Sequence, residues 1–362
     1  MRITVSQKNL KQAVGAVEKV ISKNTSLPIL NNVLLKTENG RLKVSATNLE
    51  IGVNVSLGVK IDEAGEIAIP ARIFSDFISS ITDGKITLTS KDNSLLINSD
   101  HYKTQILGFD PKDFPIIPKI KTEPIAVIQS SQLKLALSKV LDSVAVSDTR
   151  PELAGVFMFI KNGKANLAST DGFRLSEVII PFKHSESAAI ILPRNTALEL
   201  IRLAGDFDGD IEIRYNDNQI SFSNEDIEVV SRVVDGTYPD YKKVIPEKFI
   251  SRILINKDEF EKQIRLAGLF SSNISNIKLN CDDKNMVIVA KNSDKGEIET
   301  VVPVLLKNEP FEISINFRYI LDGLKHISTP DVTLDFTGQG GPLVLRPNQQ
   351  DSFTYLIMPL RN

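Results

Sequence analysis

The sequence predicts an α+β protein of three tandem domains, each made of two β-α-β-β-β halves with helices on one face and antiparallel sheets on the other. A long internal repeat, helices in a shared register and alternating strand stretches between them carry that expectation. The first copy opens Met1-Arg2-Ile3-Thr4-Val5-Ser6 and runs into the apolar positions Leu10, Val14, Val17 and Ile21. The second opens at Ile125 and continues through Leu133, Leu137, Val140, Leu141 and Val144; the third opens at Ile253 and continues through Phe260, Ile264 and Ala267. Steps of three and four between apolar residues describe one buried helical stripe. Ile69-Pro70-Ala71-Arg72, Leu192-Pro193-Arg194-Asn195 and Ile315-Asn316-Phe317-Arg318, spaced 123 residues apart, each predict the start of a second helix. A repeat of that length is a whole domain, because units that stack into one shared core run about 20 to 50 residues. The 362 residues then divide as 1–122, 123–248 and 249–362, each long enough for its own core.

Helices are expected over 8–19, 71–81, 132–144, 194–204, 257–270 and 317–327. Between them, 33–37, 42–46, 51–59, 86–89, 94–98 and 102–107 alternate apolar with polar residues and are bounded by Asn, Asp and Gly. The second copy repeats this at 156–160, 164–169, 175–181, 211–215, 219–223 and 228–234. Such alternation is that of half-buried antiparallel strands.

Composition is that of a soluble globular chain, with 42% hydrophobic and 24% charged residues. Neither an apolar run near the roughly 18 residues of a membrane span nor a signal segment is present, so a cytoplasmic location is expected. The single cysteine, Cys281, excludes an internal disulfide framework and reads as a buried residue closing a strand that starts at Ile277.

Charge is unevenly spread. The six helix windows hold thirteen Lys or Arg against eight Asp or Glu, a balance of +5 in a chain of net −2. Positive charge gathered on helices can face a polyanion while the remainder keeps the chain soluble. Surface helices in general are rich in Lys and Arg, so charge leaves both readings open.

Catalytic patterns are scarce. His101, His184 and His326 have no metal-pair spacing, and no phosphate loop, dinucleotide fingerprint or nucleophile elbow occurs. Asp206-Phe207-Asp208-Gly209-Asp210 starts like a calcium loop, but its sixth position is Ile211 and its twelfth Asp217, which reads as a turn. Thr170-Asp171-Gly172 reads as a turn between strands. No cofactor and no metal are expected. A hydrolytic enzyme would need a polar cluster not evident here. A monomeric nucleic-acid-binding module would need exposed aromatics, and the chain has no Trp and 6% aromatic residues.

Several segments together resemble one family. Ala168-Ser169-Thr170-Asp171-Gly172-Phe173-Arg174-Leu175, the run from Val234 through Tyr238-Pro239-Asp240-Tyr241 to Pro246, and Tyr355-Leu356-Ile357-Met358-Pro359-Leu360-Arg361 look like signature segments of bacterial β sliding clamps. Ser26-Leu27-Pro28-Ile29-Leu30 and Arg150-Pro151-Glu152-Leu153-Ala154-Gly155 match in place, and the resemblance covers the whole chain.

The resemblance implies the DNA-clamp fold and two chains closed head to tail into a ring, helices inward, around double-stranded DNA held without sequence preference. It implies a peptide cleft between the second and third domains, for a polymerase subunit, a clamp loader and repair proteins carrying a Gln with spaced Leu and Phe. By motif match the cleft comprises Leu153, Thr170, Gly172, Phe173, Arg174, Leu175, Pro239, Lys243, Val244, Tyr319, Pro342, Leu343, Leu356, Ile357, Met358, Pro359, Leu360 and Arg361. Arg174 and Arg361 are expected near its rim. Family members often carry His where this chain has Phe173 and Arg where it has Lys243. DNA-facing positions are Lys11, Asn24, Arg72, Lys134, Arg150, Arg194 and Lys262, and the dimer seam joins Ile106 and Leu107 to Leu269 and Phe270.

Overall fold

Each half of each repeat folds as a strand, a helix and three further strands in a computed structural model that describes residues 1–21, 27–147, 149–183, 186–205, 209–349 and 352–360. The helices among them are α1 (Gln7–Glu18), α2 (Ala71–Ser80), α3 (Ser130–Leu141), α4 (Arg194–Leu203), α5 (Lys257–Leu269) and α6 (Phe317–Leu324). Leu10, Leu133 and Phe260 share a register because each is the central core residue of its helix, at 0%, 1% and 0% exposure. The third-repeat helices begin with asparagine caps: Asn256 Oδ1 accepts from the Glu259 amide and Asn316 Oδ1 from the Arg318 amide. Such caps contribute about 1 kcal/mol each, and Asp258 and Glu259 add charge that suits the helix start.

Three lead strands that the two-half pattern implies had no ranges of their own in the sequence. Glu66–Pro70, Ala188–Pro193 and Phe311–Asn316 are strands leading directly into helices, whereas the sequence marked only the helix starts. The apolar runs of the first two are continuous and carry no period-two signal, whereas Phe311-Glu312-Ile313-Ser314-Ile315 alternates and only the helix start after it was singled out. Lys60–Glu63 and Leu305–Asn308 are edge strands of four residues, the first mostly charged, and are too short to show a period. Helix α3 begins at Ser130, where its hydroxyl donates to the Ala204 carbonyl at 2.9 Å, rather than at 132.

The chain forms two compact units, each composed of non-contiguous segments. Unit 1 comprises Met1–Lys134, Phe182–Glu186 and Asn195–Val233. Its eight-stranded sheet runs Ala126–Gln129, Asp210–Asn216, Gln219–Ser223, Ile227–Arg232, Ile51–Gly58, Arg41–Thr47, Asn32–Glu38 and Glu66–Pro70. Its five-stranded sheet runs Lys60–Glu63, Arg2–Ser6, Lys85–Lys91, Ser94–Asn98 and Lys103–Leu107. Leu10, Leu35, Leu42, Ile67, Phe74, Ile78 and Phe222 fill its core.

Unit 2 comprises Leu135–Pro181, Ser187–Arg194 and Val234–Asn362. Its nine-stranded sheet runs Ala188–Pro193, Gly155–Lys161, Lys164–Thr170, Arg174–Pro181, Phe353–Ile357, Leu343–Pro347, Asp331–Phe336, Ser251–Asn256 and Leu305–Asn308. Its four-stranded sheet runs Gly296–Pro303, Asn285–Asn292, Asn276–Cys281 and Phe311–Asn316. The large sheets therefore cross the sequence repeats: Ile51 pairs with Ser231 in unit 1, and Arg174 pairs with Ile357 in unit 2. Cys281 ends its strand at 4% exposure, and burial first, then Asp282 and Asp283, pushes its thiol up to about 12. Gly323 of α6 lies where any side chain would collide with Tyr355, whose Cδ1 would stand 2.6 Å from an added Cβ.

Within unit 2, Asp142 follows α3 and its Oδ2 accepts from His326 Nε2 at 2.9 Å and Lys325 Nζ at 3.1 Å, just beyond α6. The His326 hydrogen bond, then Lys325, holds the carboxyl down to about 2. Because this lies below the unfolded value of about 3.9, the stabilisation is full above that value and is lost as pH falls toward 2. Asp142→Asn is expected to lower unfolding free energy by about 1 to 2 kcal/mol at neutral pH. Urea titrations should show the gap from the parent closing between about pH 4 and pH 2; a gap independent of pH would exclude the ion pair as its cause.

Candidate partner-docking site

Every described residue of the expected cleft lies in unit 2. Leu153, Leu175 and Leu356, at 6%, 3% and 1% exposure, share one buried cluster with Ala168, Ile191, Tyr238, Tyr241 and Val344. Leu343 and Ile357 are also buried, so these five form the floor of the site and its supporting core. Phe173 at 62% and Val244 at 48% stand exposed above it, as do Gly172, Pro239 and Lys243. Thr170, Tyr319, Pro342, Met358, Pro359 and Leu360 are half-buried. Arg361 lies outside the described residues, as does Asn24 of the DNA-facing set.

The turn after Lys164–Thr170 places Phe173. Thr170 Oγ1 accepts from the Gly172 amide and donates to the Arg174 carbonyl at 2.7 Å, and Asp171 Oδ1 accepts the amides of Phe173 and Arg174. Gly172 sits at φ +88°, a conformation that glycine adopts without a steric penalty. The C-terminal tail is tied to this turn, because the Met358 amide donates to the Phe173 carbonyl at 2.8 Å. Leu360 is tied to the strand Phe311–Asn316 through Ser314, at 2.9 Å.

Arg174, expected near the rim, is held by partners within the protein. Its side chain is 14% exposed, its Nε donates to Asp171 at 2.9 Å, its Nη1 donates to Asp322, and its guanidinium lies 4.6 Å from the Tyr319 ring centre. Two carboxylates and an aromatic face use most of its directional donors, so it acts as a strut between the turn and α6. Asp322 had no sequence signal, being 148 residues from its partner. Lys243 is open at the surface, paired locally with Asp240 at 3.0 Å.

Lys11, Arg72, Lys134, Arg150, Arg194 and Lys262 are all exposed. Lys11 and Lys134 hold the same position, fifth in α1 and α3, while Arg194 opens α4 and Arg72 is second in α2. Such exposed, dispersed cations suit loose contact with a polyanion. Of the seam candidates, Leu107 is 72% and Leu269 63% exposed, Phe270 is half-buried, and Ile106 is 6% exposed. Alternation along the strand explains the contrast: Ile106 faces its own core and Leu107 faces out. Among the described residues no cluster of three His, Cys, Asp or Glu is placed to hold a metal, and no helix is long and apolar enough to cross a membrane.

The fold matches solved clamps along its full length. The DNA polymerase III beta subunit of Thermotoga maritima aligns at a TM-score of 0.93 with 26% identity, covering 100% of this chain and 99% of that one. The sliding clamp of Bartonella birtlesii, solved bound to griselimycin, aligns at 0.93 with 29% identity and full coverage of both. The "Beta sliding clamp" of Staphylococcus epidermidis is 28% identical over 377 residues, covering 100% of this chain and 99% of the relative. The fold is thus that of the DNA clamps, proteins that act by holding and tethering. Residues 1–118, 127–240 and 242–361 match the N-terminal, central and C-terminal domains of the DNA polymerase III beta subunit, and the chain belongs to that family. It is a non-catalytic DNA sliding clamp that serves polymerase processivity.

Proposed function

We propose that two copies of the chain close head to tail around duplex DNA in the cytoplasm, with three domains per copy at 1–122, 123–248 and 249–362. The observation that carries this reading is a pair of open sheet edges. Lys103–Leu107 ends the five-stranded sheet and Gly296–Pro303 ends the four-stranded one, each paired on one side only among the described strands. Unpaired edges expose a row of backbone donors and acceptors and are normally covered or blunted. Here they adjoin exposed apolar side chains, Leu107 by the first and Val301 on the second. Pairing the first edge of one copy with the second edge of the other satisfies both and closes a two-fold ring.

DNA is then held by topology, with exposed cations such as Lys11, Arg72, Lys134 and Arg194 giving contact too weak to read sequence. The cleft in unit 2 takes short peptides with Leu and Phe anchors from a polymerase subunit, a clamp loader and repair proteins. Its apolar floor with a flexible methionine, Met358, at its edge supports several related ligands. After loading onto nicked circular DNA, the protein should be retained on the circle through moderate salt and released when the circle is linearised. Unloaded binding should fall steeply as salt rises and ignore sequence. Equal retention on circles and linear DNA would overturn the ring.

A further inference from the structure

We infer that Glu177 is a positioning residue for partner docking, acting through Tyr241 on the segment that presents Pro239, Lys243 and Val244. The inference rests on the cleft reading above. Tyr241 and Glu177 are 4% and 8% exposed, and the tyrosine Oη donates to Glu177 Oε1 at 2.6 Å, with Asn166 Nδ2 at 3.5 Å from the same oxygen. Tyr238 stacks on Phe157 with ring centres 4.8 Å apart, and Tyr241 meets that ring edge-on at 6.1 Å. Two buried rings thus seat a segment whose intervening and following side chains point outward. Stacking restrains depth, whereas a hydrogen bond to a buried carboxylate also fixes rotation along the segment. Burial, then Glu177, raises the Tyr241 pKa, so the hydroxyl stays a donor through neutral pH.

The repeat supplies an internal comparison. In unit 1, Thr47 Oγ1 donates to the Ile51 carbonyl at 2.9 Å and Asn48 Oδ1 accepts the amides of Glu50 and Ile51. The Arg232 amide donates to the Glu50 carbonyl at 3.0 Å, as Met358 does to Phe173. This is the cleft turn and its tie, built a second time. Phe114-Pro115-Ile116-Ile117 stands where the cleft has Tyr238-Pro239-Asp240-Tyr241, and Asn54 stands where it has Glu177. Ile117 has no hydroxyl to offer and packs over Gly52, where an added Cβ would meet its Cγ2 at 2.7 Å. Asn54 turns to Ser45 and Glu228 within its own sheet, at 2.7 and 2.8 Å. The polar latch belongs to the copy that carries the docking residues.

A synthetic peptide with one Gln and spaced Leu and Phe, titrated calorimetrically into the full chain, tests this. Tyr241→Phe and Glu177→Leu should each weaken binding about tenfold, while Glu177→Gln, which keeps an acceptor, stays within about twofold of the parent. Asn54→Leu, the corresponding change in unit 1, should leave affinity unaltered. Amide exchange at Lys243 and Ile245 should quicken in Tyr241→Phe, a readout that does not depend on Glu177→Leu folding. Parent-like affinity and exchange in Tyr241→Phe, or an equal loss in Asn54→Leu, would overturn the positioning role alone. A parent chain that fails to bind would overturn the cleft reading and this inference with it.

Discussion

A chain carrying Leu269→Asp is expected to scatter light as a single copy, with half the parent's molar mass. Leu269 is the last residue of α5 and 63% exposed; Leu107 ends its open strand at 72%. Exposed leucines beside unpaired sheet edges gain about 1.5 to 3 kcal/mol each when a second copy covers them. A carboxylate buried there without a partner costs more than the leucine contributed, so one change suffices. Leu107→Asp should act alike from the other side of the seam. Ile106 is no substitute, since at 6% exposure its replacement would damage the core of unit 1 instead. Parent mass in both variants at micromolar concentration would remove these residues from the seam.

Removing residues 358–362 is expected to abolish peptide binding, with a loss of about 100-fold or more, while leaving the dimer mass intact. Met358, Pro359 and Leu360 are half-buried and held by backbone bonds to Phe173 and Ser314, so the tail is an ordered wall. The strand Phe353–Ile357 and its buried residues remain after the cut, which keeps the floor in place. Few anchors carry most of the energy in an interface of this kind. Titration of the truncated protein with the peptide decides it: native affinity would move the docking site elsewhere.

Legibility in the sequence followed periodicity. Helices were visible because each buries one stripe, and Leu10, Leu133 and Phe260, which share a register in the sequence, are all buried. The turn Thr170-Asp171-Gly172 was readable from its residue types alone. Lead strands such as Ala188–Pro193 were hidden because a strand buried on both faces does not alternate. The cleft as a set came from family resemblance, since its residues span 153 to 361 and no local pattern links them. Pairs made by tertiary folding left no trace at all: Tyr241 finds Glu177 across 64 residues, and Arg174 finds Asp322 across 148. These partners decide how a named side chain is held, as with Arg174 between Asp171 and Asp322.

The crossing of sheets over repeats determines how the chain can be cut and grafted. Exchanging the second repeat with that of a relative would replace Ile227–Arg232 beside Ile51–Gly58 and Arg174–Pro181 beside Phe353–Ile357, creating two hybrid ladders at once. Each ladder is set by side-chain register, where a one-residue slip turns an entire apolar row outward. A chimera that respects Met1–Lys134, Phe182–Glu186 and Asn195–Val233 as one inherited block keeps the eight-stranded sheet whole. Modularity in this protein therefore resides in discontinuous blocks, and sequence periodicity is a poor guide to where a graft should begin.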